Sequence, residues 1–363
     1  MKFVDLRAQY LEYKKEIDRE ILEILDSANF ILGEKVETLE RIFAEYVGIK
    51  YALGVSSGTD ALLMSLMAMG VKQGDEVITT PFTFVATAEV IALLGAKPVF
   101  ADIREGDFNI DPKEIAGKIT DKTKGIIAVD IFGEPSDYDE LKKIADEYKL
   151  FLIEDAAQSF GAEYKGKKTC SLCDIGCTSF FPAKPLGCYG DGGMIFTDNP
   201  ELYETLKSIR VHGQGSNKYD NVRIGINGRL DAIQAGVLLV KIKYFEKELQ
   251  RRKQIAEFYR EKLKEKYIFQ EVSSLNKSAY AQFCLIPKNG KRDDILKRLK
   301  KNNIPFAIYY PTPLHLMRSF SYLGYEKGGF PVSESISQKI FAIPMHPFLK
   351  EEELNKIVGI LME

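Results

Sequence analysis

EVITTPFTFVATAEVIALLGAKPVFA, residues 76–101, holds a strand, a helix and a second strand with almost nothing between them. Glu76–Thr80 and Lys97–Ala101 are short runs rich in apolar and β-branched residues, the composition of strands covered on both faces. Between them, Ala86–Leu94 predicts a helix. The pattern extends in both directions. Tyr51–Val55 predicts a strand and Asp60–Met69 the helix after it, while Gly125–Val129 and Leu150–Glu154 add two further strands. Such alternation predicts a mostly parallel sheet with helices on both faces, an α/β architecture.

The texture changes after Arg229. Leu230 to about Lys266 keeps helical periodicity and is dense in Lys, Glu and Arg, as in helices that bridge two domains. Shorter elements follow: a strand over Tyr280–Ile286, a helix over Arg292–Asn302, and a proline-rich loop over Tyr309–His315. A chain of 363 residues exceeds what one hydrophobic core usually serves. The expected division is a large domain over 1–240 and a smaller α+β domain over 241–363.

Lys and Arg total 50 against 52 Asp and Glu, a balance that gives no basis for binding nucleic acid or an anionic membrane. The opening MKFVDLRAQYLEYKKEID is charged throughout and lacks the apolar core of a signal peptide. The most apolar longer stretch, Val85–Phe100, is interrupted by Glu89, Gly95 and Lys97 and is too short to span a bilayer. A cytoplasmic protein is expected. Five cysteines in a long chain of this kind argue against a disulfide framework. Cys170, Cys173 and Cys177 lie close in sequence, but a closed zinc site needs a fourth ligand, and no nearby His or second Cys pair supplies one. No metal is expected.

Ligands of open parallel sheets sit beyond the carboxyl ends of the strands, where three segments carry chemistry. Ser56-Ser57-Gly58-Thr59-Asp60 follows a strand and opens a helix. Small hydroxyl residues there expose backbone N–H groups to an anion such as phosphate, although a plain N-cap has the same composition. Asp155-Ala-Ala-Gln158 places a carboxylate at a strand end, suited to a cationic ring nitrogen, a metal or a helix cap. The third segment, SFFPAKPLGCYGDGG over residues 179–193, holds Lys184 behind two aromatics and between Pro182 and Pro185. A lysine in so apolar and rigid a loop loses solvation, which lowers its pKa and frees a nucleophilic amine. The glycines match neither the dinucleotide nor the Walker pattern. An anion site, an acid for a ring nitrogen and an imine-forming lysine together meet the needs of pyridoxal phosphate.

The strings EDAAQSFGAEYKGKK, SFFPAKPLGCYGDGGMIFTD, RVHG and GINGRLDAIQAGVL, from the opening FVDLRAQY to YYPTPLH, resemble the DegT/DnrJ/EryC1/StrS family of nucleotide-sugar aminotransferases. The resemblance implies the fold-type I aminotransferase architecture and homodimers with shared active sites. It implies that Lys184 forms the Schiff base and moves the proton, and that Asp155 pairs with the pyridinium nitrogen. Gln158 would bond the phenolic oxygen, Gly58, Thr59 and Ser179 would hold the phosphate, and Asn227 would reach in from the other subunit. Phe84 would stack on the ring, with Phe82 close enough in sequence to be confused with it.

Relatives that remove a sugar hydroxyl carry histidine in place of this lysine, so the resemblance favours transamination over a sugar dehydratase or a non-enzymatic regulator. The implied cycle moves an amino group from L-glutamate to a nucleotide-linked keto-sugar. PFTFVATAEVIALLGAKPVFADI, with GINGRLDAIQAG and YYPTPLH, most resembles enzymes acting on C3 of UDP-2-acetamido-2-deoxy-3-keto-glucuronic acid. The fork of Arg229 suits a carboxylate, the uronate's or glutamate's, or else a dimer contact. Tyr309 and His315 would touch substrate by the same resemblance. A 4-keto-6-deoxy nucleotide sugar is the rival substrate. His212 and His346 carry no assignment.

Overall fold

The computed structural model describes residues 1–217 and 219–363. Two amphipathic helices, α1 (Leu6–Ser27) and α2 (Glu34–Val47), precede β1 (Tyr51–Val55) and α3 (Gly58–Ala68). The quoted segment forms β2 (Glu76–Thr79), α4 (Ala86–Leu93) and β3 (Lys97–Phe100). Next come β4 (Thr123–Val129), α5 (Tyr138–Tyr148), β5 (Phe151–Asp155), the short strands β6 (Glu163–Tyr164) and β7 (Lys167–Lys168), β8 (Ile175–Ser179), β9 (Gly193–Thr197), α6 (Pro200–Arg210) and the long helix α7 (Ala232–Leu263).

Seven strands make one sheet in the order β1-β9-β8-β5-β4-β2-β3. Only β9 runs against its neighbours, so the sheet is mostly parallel, as the apolar runs require. Side chains alternate between its faces. Val77, Ile127 and Ile153 pack with Leu62, Leu66, Val90, Ile91 and Leu206 from α3, α4 and α6. Ile78, Ile126 and Leu152 point the other way, onto Leu141 and Ala145 of α5. Phe43 of α2 and Leu238 of α7 close that second face with Phe160, Phe180 and Phe196. Strands β8 and β9 escaped the sequence reading because Ile175–Ser179 and Gly193–Thr197 carry glycine and hydroxyl residues. What makes them strands is pairing with β5 and β1 in the middle of the sheet.

The C-terminal part contains β10 (Tyr267–Phe269), β11 (Asn276–Lys277), β12 (Phe283–Pro287), α8 (Arg292–Lys301), α9 (Pro331–Lys339), β13 (Phe341–Ile343) and α10 (Glu351–Met362). β10, β12 and β13 form an antiparallel sheet. Leu285 and Phe341 of that sheet pack with Tyr259 and Leu263 at the end of α7, Leu299 of α8 and Ile357 of α10. The 32 residues of α7 therefore serve two cores, Leu238 and Phe245 the first and Ile255 onward the second. The strand expected over Tyr280–Ile286 begins later. The Ala279 and Ala281 amides instead donate to the Gly133 and Phe132 carbonyls of the large sheet's loops, which brings Gln282 to the edge of that sheet. Among the described residues no helix is long and apolar enough to cross a membrane.

Candidate active site

A cavity of about 450 Å³ opens beyond the ends of β1, β5 and β8. Gly58, Thr59, Phe84, Asp155, Gln158, Ser179, Lys184 and Tyr309 all line it. Residues more than a hundred apart in sequence thus converge on one space, because each follows or ends a strand of the same sheet or a loop laid across it.

Lys184 and Asp155 carry the electrostatics. Burial pushes the Lys184 amine below the usual lysine range, and the charge of Asp155 opposes that shift. Among the described residues the amine makes no hydrogen bond or ion pair, so nothing but the cavity competes for it. Burial pushes Asp155 upward, against a hydroxyl bond from Thr87 and the Lys184 charge. Its Oδ2 accepts from Thr87 Oγ1 at 2.8 Å and its Oδ1 from the Ala157 amide at 3.2 Å. The lysine backbone is fixed by its own loop: the Lys184 amide donates to the Phe181 carbonyl, and the Cys188 amide to that of Phe180.

At one end of the cavity α3 begins. Ser57 caps it, its hydroxyl accepting from the Asp60 amide at 3.0 Å, while both Ser56 and Ser57 hydroxyls donate to Asp60 Oδ2. The capping therefore occupies Ser56, Ser57 and Asp60. The first-turn N–H groups of Gly58 and Thr59 stay directed outward, with the helix dipole behind them. Gly58 must be glycine, since a Cβ there would lie 2.6 Å from the Ser179 Cβ. That close approach puts the Ser179 side chain against the same helix start, a fitting cradle for a phosphate.

Phe84 and Phe82 are told apart by their surroundings. Phe82 is fully buried, edge-on to Phe108, Phe132 and Tyr310. Phe84 is 56% exposed, on the cavity wall. A flat apolar ligand would cover that face. Gln158 accepts from the Phe132 amide at 3.0 Å and donates to the Tyr310 hydroxyl at 3.3 Å. Tyr310, Thr83, Thr87, Phe181 and Gln282 also line the cavity and were missed by sequence reasoning. Tyr310 and Phe181 adjoin residues already marked by motif, so the signal was available. Gln282 comes from the edge of the small sheet with its Oε1 buried and unpartnered among the described residues, and nothing in its local sequence points to the site.

Three expected site residues lie outside the cavity wall. Arg229 forms a bridge with Val55 at the end of β1; its Nε is buried without a partner among the described residues. Asn227 is exposed and bridges Val211, and it is not part of the cavity wall. His315 is buried, its Nε2 3.0 Å from Glu334 Oε1 and its ring packed on Phe330; the structure does not bring it to the cavity. The cysteine run passes from a turn at Cys170 into β8 at Cys177: the Cys170 amide donates to the buried Glu154 carboxylate, and the Cys177 thiol lies 3.2 Å from the Ser65 hydroxyl.

Comparison with known proteins gives this geometry its context. The model of the DegT/DnrJ/EryC1/StrS aminotransferase family matches residues 12–362. The UDP-2-acetamido-2-deoxy-3-oxo-D-glucuronate aminotransferase of Pseudomonas aeruginosa is 43% identical over 364 aligned positions, covering 99% of each chain. Among solved structures, a DegT DnrJ EryC1 StrS aminotransferase from Brucella abortus superposes with a TM-score of 0.95 at 42% identity, covering 100% of this chain and 98% of that one. The Bacillus subtilis protein ntda, solved with bound cofactor pmp, gives a TM-score of 0.90 at 30% identity over 97% of this chain and 81% of that one. Matched along almost its whole length by the family model, the chain belongs to the DegT/DnrJ/EryC1/StrS aminotransferase family.

Proposed function

We propose that the protein is a pyridoxal-phosphate-dependent sugar aminotransferase that carries an amino group from L-glutamate to a nucleotide-linked keto-sugar. The observation that carries this reading is the placing of Lys184, a half-buried amine with no acceptor among the described residues, and the buried Asp155 carboxylate on the wall of one cavity. The remaining wall suits the cofactor piece by piece. Gly58, Thr59 and Ser179 would hold its phosphate, Phe84 would cover one ring face, and Gln158 would donate to its phenolic oxygen. Bound there, the cofactor supplies an electron sink for the charge left when a proton leaves the substrate carbon. Lys184, with its lowered pKa, is the base that takes that proton and the acid that returns it. Asp155 keeps the ring nitrogen protonated.

The substrate we favour is UDP-2-acetamido-2-deoxy-3-keto-glucuronic acid, aminated at C3. Its support is the Pseudomonas relative and Arg229, whose side chain makes no hydrogen bond or ion pair among the described residues and whose buried Nε lacks a partner. Outside its own cavity, that guanidinium would meet the carboxylate of a substrate in the second subunit's site, in a forked geometry. The working unit is a homodimer with shared sites. Asn227 and the apolar, exposed Val222 and Ile224 lie on one outward-facing segment, a suitable surface for a second copy to cover and through which Asn227 would reach the partner's cavity. Tyr309 remains a substrate contact in this reading.

The test is an absorption spectrum of the purified protein with pyridoxal phosphate, before and after adding L-glutamate. A visible band that collapses to a near-ultraviolet band establishes the first half of the cycle. A visible band that ignores glutamate removes glutamate as the donor, and no visible band removes Lys184 from its assigned role.

A further inference from the structure

We infer that Thr87 is a positioning residue for amino transfer: with Thr83 it fixes the charge and the orientation of the Asp155 carboxylate. The inference rests on the pyridoxal-phosphate reading above and assigns a role to residues which that reading leaves unused.

Asp155 ends β5, whereas Thr87 lies in the first turn of α4 on a separate segment of chain. Thr87 Oγ1 donates to Asp155 Oδ2 at 2.8 Å, and the Thr83 and Thr87 hydroxyl oxygens are 3.3 Å apart. Both threonines are 1% exposed, so the hydroxyls are held by each other and by the carboxylate. A hydroxyl has one proton to donate. Thr87 gives its proton to Asp155, which ionised has none to offer, so in the contact between the threonines Thr83 is the donor. The chain of bonds therefore has one direction, from Thr83 to Thr87 to Asp155, and each bond polarises the next.

This arrangement matters because Asp155 is in an unfavourable place for a charge. Burial drives it toward the neutral acid, and the Thr87 bond is foremost among the contacts that oppose burial, ahead of the Lys184 charge. A neutral Asp155 could not hold a ring nitrogen protonated. The bonds also set direction. With Oδ2 held by Thr87 and Oδ1 by the Ala157 amide, the carboxylate plane is pinned on both oxygens at the wall of the cavity that Lys184 shares. Thr83 sits next to Phe84, so the same relay ties the residue that would cover the ring face to the residue that would grip the ring nitrogen.

Thr87→Val keeps the shape of the side chain and removes the hydroxyl. The protein is loaded with pyridoxal phosphate carrying ¹⁵N in the ring, and the nitrogen chemical shift is followed against pH without substrate. The protonation midpoint of the ring nitrogen should fall by about one pH unit and kcat by about tenfold, as loss of a hydrogen bond to a charged group implies. KM should change little, and Thr87→Ser should restore both quantities. A wild-type midpoint in Thr87→Val, alongside a midpoint displaced by Asp155→Asn, overturns the inference and leaves the pyridoxal-phosphate reading standing. If Thr87→Val does not fold, Thr83→Val decides: a smaller displacement in the same direction supports the relay, and no displacement overturns it. A wild-type protein that takes up no cofactor overturns both.

Discussion

The loop between β8 and β9 carries one lysine, Lys184, and is bonded to another, Lys241, and the two are held in opposite ways. In front, Lys184 faces the cavity with no acceptor among the described residues. Behind, Lys241 of α7 is fully buried, but its Nζ donates to the Gly187 carbonyl at 2.5 Å and lies 4.4 Å from the centre of the Tyr189 ring. Burial lowers both amines. The difference is what holds them. Lys241 is anchored to the backbone of the loop that carries Lys184, and Gly187 itself packs so tightly that a Cβ would lie 2.6 Å from the Pro182 carbonyl oxygen. One lysine faces the cavity without an acceptor among the described residues, and the other is bonded to the loop that carries it. A buried cation without an acceptor is costly, and such a cost is retained where function uses it.

That contrast breaks first at Lys184. Lys184→Ala should abolish turnover, measured as amino transfer from L-glutamate, while the cofactor-free protein melts no lower than wild type. Removing an amine with no protein partner takes away a desolvation cost and no bond. Turnover at the wild-type rate would place the proton transfer elsewhere. Arg229 belongs on the same side of the divide, since its guanidinium has no partner among the described residues. Arg229→Ala should lower kcat/KM for a uronic-acid sugar nucleotide by about a hundredfold, the scale of a lost charge-assisted fork. It should do far less to a neutral analogue. Equal losses on both would assign the residue to glutamate or to the dimer.

The smallest effect belongs to Lys241. Its folded pKa is lowered from 10.5 to about 8, so between those values the unfolded chain binds the extra proton. Stability then rises as pH climbs from about 8 toward 10.5, as the cost of burying the charge is relieved. Chemical denaturation of wild type and Lys241→Met across that range should show the wild type gaining relative to the variant. The gain should reach a few kcal/mol, at about 1.4 kcal/mol for each pH unit that separates the folded and unfolded pKa values. A difference that is flat with pH would mean that the nearby Glu248 and the Gly187 carbonyl keep Lys241 protonated throughout. At neutral pH the variant should still take up pyridoxal phosphate, with kcat reduced by less than about tenfold, because one backbone anchor of the loop is lost and the amine is not.

How much of this was legible beforehand depended on whether the signal was local. The parallel sheet was readable because Glu76–Thr79 and Lys97–Phe100 are apolar on both faces whatever surrounds them. The setting of Lys184 was readable because the aromatics and prolines beside it travel with it in sequence, and the helix start at Gly58 and Thr59 because small and hydroxyl residues follow a strand there. β8 and β9 were not, since strands with small and hydroxyl residues owe their form to their neighbours. Nor was the start of β12, where the Ala279 and Ala281 amides are drawn off to the loop at Phe132–Gly133.

The sequence by itself determined the strand–helix alternation over residues 51–101, the later strands β4 and β5, and the placing of Lys184, Asp155 and the helix start at Gly58 beyond strand ends. These depend on residues within a few positions of one another. Only the tertiary structure decided that Phe84 and not Phe82 faces the cavity and that His315 is bonded to Glu334. It also decided that Thr87 reaches Asp155 across 68 positions and that Gln282 arrives from the second sheet. Those facts depend on which surfaces are pressed together, and that follows from the packing of whole elements, which no short stretch of sequence encodes.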